Sequence, residues 1–87
     1  MKSFLRLQRR EYVGRYLKEL REEHRLTQAD VADALRFNQT FVSKYERGEC
    51  NMSLDVLLAV AEFLDADPYT LVGGALEEYP NTELESE

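Results

Sequence analysis

The chain has 87 residues, 44% of them hydrophobic, which fits one packed domain and argues against global disorder. Its formal charge of −6 counts against a nucleic-acid partner when taken whole, yet residues 1–47 hold all eleven Lys and Arg against seven acids (+4) and residues 48–87 hold ten acids and no base (−10), so a domain with two faces of opposite sign stays open. One cysteine (Cys50) excludes an internal disulfide, one histidine (His24) with no cysteine cluster argues against a zinc site, and no apolar run approaches the 18 residues of a membrane span.

The basic stretch Met1–Arg10 lacks the apolar segment of a signal peptide, so a cytoplasmic protein is expected. The pair Gly73-Gly74 follows no strand, and carboxylates such as Glu22-Glu23 and Glu77-Glu78 read as solvated runs. The expectation is a chain that is no enzyme and uses no cofactor and no metal.

No segment alternates with the period of a strand, and the pattern is all-α. A first helix is predicted from about Leu7 to His24, with Val13, Tyr16, Leu17 and Leu20 making one apolar stripe. Residues before Leu7 either extend it or form an arm, and Arg6, Arg9 and Arg10 read as a solvated basic run more readily than as a DNA-contacting arm. Thr27 caps a second helix, Gln28 to Leu35, with Asp30 at N3 as an acidic capping box. Arg36-Phe37-Asn38 interrupts the pattern, and Asn38 caps a third helix from Gln39 to about Glu46, which Gly48 ends.

Ser53 caps a fourth helix running to about Leu64. It carries one apolar face of Leu54, Leu57, Leu58, Ala61 and Leu64 and a second of Val56, Val60 and Phe63, so it needs two partners. The second partner is either the fifth helix, which Asp67-Pro68 starts, or another subunit. Val56, Val60, Phe63, Tyr69, Leu71 and Val72 are therefore the candidate dimer seam. The chain divides into a basic extension (1–11), the domain proper (12–76) and an acidic tail expected to be disordered (77–87).

The stretch from Gln28 to Arg47 meets the requirements of two short helices crossing closely through a tight turn. Ala32 supplies the small residue at the crossing, and Val31, Leu35, Phe37, Val42 and Tyr45 fix the angle. Gln39, Thr40, Ser43 and Lys44 are left on the outer face of the third helix, with Phe41 near its first turn. Amide, hydroxyl, methyl and ammonium groups in that arrangement suit the edges of bases in a major groove.

The ordered run Leu26-Thr27-Gln28-Ala29-Asp30-Val31-Ala32, then Val42-Ser43-Lys44-Tyr45-Glu46-Arg47-Gly48, then Ser53-Leu54, Leu57, Ala61 and Leu64 resembles the Cro/lambda-repressor-like (Xre-type) helix-turn-helix family over roughly residues 12–72. The resemblance implies a compact five-helix domain that binds double-stranded operator DNA as a homodimer and regulates transcription. It implies base reading by Gln39, Thr40 and Lys44. Phosphate or flanking contacts are implied for Gln28, Phe41, Ser43, Arg36, Arg47 and Asn51, and a structural ion pair for Arg21 and Glu46. Two residues depart from the pattern. Arg36 stands where the family usually has Gly in the turn, which either alters the turn or places Arg in a left-handed conformation. Met52 stands where Pro is frequent. A rival reading is an antitoxin-type protein whose main partner is a toxin.

Overall fold

The computed structural model describes residues 2–80, with side chains from Phe4 onward. These residues form five helices: α1 (Lys2–Glu23), α2 (Gln28–Leu35), α3 (Gln39–Glu46), α4 (Leu54–Phe63) and α5 (Pro68–Glu78). Each of the last four starts at a side-chain cap. Thr27 and Asp30 make a reciprocal capping box, with bonds of 2.8 and 3.1 Å. Asn38, Ser53 and Asp67 accept from the backbone amides of Thr40, Val56 and Tyr69. These bonds satisfy amides that a helix start leaves without partners.

The first four helices share one kind of ending. After each, a residue turns left-handed and the next amide reaches back five residues: Leu26 to Arg21, Phe37 to Ala32, Glu49 to Lys44 and Ala66 to Ala61. The left-handed residues are Arg25, Arg36, Gly48 and Asp65. Arg36 thus keeps the turn and takes φ 59° without the help of glycine. Gly48 has an additional reason to be glycine, because a Cβ there would come within 2.8 Å of the Glu11 backbone on α1.

The core gathers Leu17, Val31, Ala32, Val42, Tyr45, Val60, Leu64 and Leu71 from all five helices. Burial, followed by the Glu46 charge, pushes the Tyr45 phenol well above its ordinary range. The backbone of α1 lies directly on the C-terminal end of α3. A Cβ at Gly14 would sit 2.2 Å from the Tyr45 carbonyl oxygen and 2.7 Å from that of Glu46. Gly74 plays a similar part on α5, where the Tyr12 hydroxyl of α1 occupies the space a Cβ would need.

Three expectations shift. α1 begins at Lys2, so the residues before Leu7 extend the helix. α5 continues to Glu78 and the Tyr79 ring packs edge-on against Tyr12, which moves the start of the acidic tail past residue 79. The rest of that tail, 81–87, lies outside the described residues. Val60 and Leu71 are fully buried in the core and do not belong to a dimer seam. Each faces inward four residues before another buried side chain, Leu64 at the C-cap of α4 and Ala75 on α5. Besides Phe4 on α1, the large apolar side chains left outside among the described residues are Leu54, Leu58 and Phe63 on α4 and Tyr69, Val72 and Leu76 on α5.

Candidate nucleic-acid interface

Ala32 is buried where α2 crosses α3, and Val31, Val42 and Tyr45 lock the pair from beneath. That packing turns the other side of α3 to solvent. Gln39, Thr40 and Lys44 are exposed and Ser43 is half-exposed. Gln28, at the start of α2, joins Gln39, Thr40 and Ser43 around one shallow recess of about 290 Å³. Two helix N-termini therefore open onto a single polar surface, with amides and hydroxyls able to donate and accept. Lys44 adds a positive charge one turn further along α3.

A buried polar network holds this surface in place. Arg21 on α1 meets Glu46 on α3 through two bonds, Nε to Oε2 at 2.7 Å and Nη2 to Oε1 at 3.1 Å. Its Nη1 donates to the Leu26 carbonyl at 2.7 Å in the loop before α2. Glu46 Oε1 also accepts from Gln28 Nε2 at 2.9 Å. The network ties α1, the α1–α2 loop, the start of α2 and the end of α3 into one unit. Both charged residues are buried, with Arg21 8% and Glu46 6% exposed. The bidentate contact satisfies both in a fixed geometry.

Further polar groups line the rim. Arg36 projects from the α2–α3 turn and is exposed. Arg47 follows α3; its guanidinium is paired with Glu49 and also donates to Ser43 Oγ. Asn51 in the α3–α4 loop accepts from Arg10 Nη1 at 2.8 Å. Among the described residues no three His, Cys, Asp or Glu side chains cluster as metal ligands, and no helix is long and apolar enough to cross a membrane.

The model of a family described as "Helix-turn-helix domain" matches residues 13–71, more than half of the chain. The chain belongs to the helix-turn-helix domain family. Curated relatives agree with that placement. A protein of Thermococcus kodakarensis, named provisionally as an HTH-type transcriptional regulatory protein, is 35% identical over 81 residues, covering 85% of this chain and 26% of its own. A Methanococcus maripaludis protein with the same kind of name is 33% identical, covering 60% of this chain and 16% of its own. The immunity repressor protein of Bacillus phage phi105 is 34% identical over 61 residues, covering 70% of this chain and 42% of its own. The chain thus spans less than half the length of each of these relatives. No solved structure matches at a comparable level.

Within the helix-turn-helix, one expected contact residue is placed elsewhere. Phe41 is not a free flanking group: its ring stacks edge-on between Phe37 at 5.4 Å and Tyr45 at 5.5 Å, as part of the packing under α3. An aromatic ring gains more by filling that gap than by standing in water. Arg9 and Arg10 also depart from a merely solvated run, since Arg9 Nε donates to the Tyr79 carbonyl at 3.0 Å and Arg10 to Asn51. Sequence reasoning passed over Gly14, although an isolated glycine inside an amphipathic helix is a signal of close approach. It also passed over Glu49, and over the pairing of Arg10 with Asn51 41 residues away, neither of which has a local signature.

Proposed function

We propose that this domain is the DNA-binding part of a transcriptional regulator and that it reads duplex DNA by laying α3 in the major groove. The observation that carries the reading is the single recess shared by Gln28, Gln39, Thr40 and Ser43 and anchored from below by the Arg21–Glu46–Gln28 network. A long polar side chain on a rigid exposed helix is what base-edge recognition needs, because discrimination depends on bond geometry. Gln39, Thr40 and Lys44 read bases. Gln28 and Ser43 fix register on the backbone, with Arg36, Arg47 and Asn51 reaching phosphates on either side. Except for Asn51 these residues lie in the half of charge +4, and Arg10 of that half holds Asn51 in place. Beyond the α3–α4 loop, the acidic half then faces away from the duplex.

The domain works as a homodimer. The outer side of α4 and α5 carries an apolar groove of about 580 Å³, flanked by Leu54, Leu58, Tyr69, Val72 and Leu76. Tyr69 is 89% exposed and Leu54 68%. A second copy on this face would cover these groups and present two α3 helices to half-sites about 34 Å apart. Leu58→Glu and Val72→Glu should then yield a folded monomer by sedimentation, whereas a wild-type chain that is already monomeric at high concentration removes the seam.

Selection from a random duplex library tests the whole reading. The expected product is a two-fold motif with half-sites one helical turn apart. Its affinity should fall with salt at a log–log slope of roughly −0.9 for each phosphate contacted. A library that emerges without enrichment would remove the reading.

A further inference from the structure

The charge boundary seen in the sequence coincides with a contact in the fold. Arg47 is the last base of the +4 half and Glu49 the first acid of the −10 half. Arg47 Nε donates to Glu49 Oε2, and Nη2 donates to Oε1 at 3.1 Å, so the guanidinium meets the carboxylate edge-on. The remaining Nη1 donates to Ser43 Oγ, one turn back on α3. Two of the groups proposed to meet DNA phosphate are thereby engaged within the domain itself.

The backbone fixes this arrangement. The Glu49 amide donates to the Lys44 carbonyl at 2.9 Å and closes α3. Gly48 makes the reversal at φ 72°, against α1, where there is no room for a side chain. The Glu49 side chain therefore leaves from a pinned position beside Arg47, and the Lys44 charge lies close enough to act on it too. To a guanidinium, a carboxylate and a phosphodiester offer the same feature, two oxygens sharing one negative charge.

We propose that Glu49 is an internal stand-in for DNA phosphate: it holds Arg47 and Ser43 in the free domain and is displaced when the backbone of the duplex arrives. The proposal rests on the DNA-binding reading above. Both side chains are about half exposed, 55% for Arg47 and 49% for Glu49, so the exchange needs no unfolding. A solvent-exposed pair is weak, so it tempers backbone affinity without blocking it. Exchange also limits the salt response, because the carboxylate set free attracts a counterion as the phosphate gives one up.

Glu49→Gln keeps the shape and removes the charge. Binding to a random-sequence 20-base-pair duplex is read by fluorescence anisotropy between about 50 and 200 mM salt. The salt slope of Glu49→Gln should steepen by roughly 0.9, the value of one phosphate contact, so its advantage over wild type grows about 3.5-fold as salt falls from about 200 to about 50 mM. Glu62→Gln changes the net charge equally at an exposed site on α4 and should run parallel to wild type. In an Arg47→Ala background the effect of Glu49→Gln should vanish. Weaker binding by Glu49→Gln means that Glu49 aims Arg47 at DNA, and it overturns the proposal. An unchanged slope, an equal effect of Glu62→Gln, or an effect that survives loss of Arg47 overturns it as well. A wild-type chain that binds no duplex at any salt instead brings down the DNA-binding reading, and the proposal with it.

Discussion

Replacing Arg21 by Ala removes all three hydrogen bonds of its guanidinium, two to Glu46 and one to the Leu26 carbonyl. Glu46 stays behind, 6% exposed, with Gln28 as its one remaining side-chain partner. A buried charge stripped of its counter-ion destabilises by about 3–5 kcal/mol. Domains of this size have roughly 5–15 kcal/mol in total, so the loss is about a fifth of the stability at the least. At about 4–8 °C per kcal/mol, the melting temperature should drop by at least ~12 °C. The companion variant Arg21→Met with Glu46→Leu removes both charges and fills the space. It should recover most of the loss, to within about 1–2 kcal/mol of wild type. Urea unfolding followed by far-UV circular dichroism compares wild type with both variants. A loss below about 1 kcal/mol for Arg21→Ala would place the pair among ordinary surface ion pairs and refute the reasoning. So would a double variant no more stable than Arg21→Ala alone.

Gly14→Ala should destabilise at or beyond the upper end of the ~1–3 kcal/mol typical of overpacking, because the new methyl meets backbone oxygens of α3 that cannot swing aside; thermal melts check it, and a neutral result contradicts the close approach of α1 and α3. Arg36→Gly should do two opposite things. Relief of the left-handed Arg favours the fold by up to about 1 kcal/mol after the entropy of glycine is set against it, while loss of a phosphate contact flattens the salt slope of DNA binding by about 0.9. Unfolding and salt titrations on the same preparation separate the two effects.

The local grammar of this chain is strong, and it made much of the fold legible. Thr27, Asn38, Ser53 and Asp67 mark helix starts because a side-chain oxygen must meet amides that have no other partner. The bounds of α2 and α3 follow directly from Thr27, Asn38 and Gly48. The family pattern placed Arg21 beside Glu46, and the bidentate bond is there. What escaped is what depends on which way a stripe faces. Val60 and Phe63 share a helical face in projection, yet one is fully buried and the other is exposed at 40%. α4 is apolar on more than one side, so periodicity alone cannot orient it. The packing of Phe41 escapes for a related reason, since a ring at the first turn of α3 can lean out to solvent or back onto Phe37. Arg10–Asn51 and Arg47–Glu49 depend on loop geometry that no short pattern encodes.

The claim that α3 reads base edges is tested most directly by Gln39→Ala on a selected duplex. Affinity for each single-base variant of the site is measured at fixed salt, alongside the salt slope. The account predicts a loss of about 1–3 kcal/mol on the preferred site, relaxed preference at one base pair per half-site, and an unchanged slope. Base preference and affinity identical to wild type would contradict it.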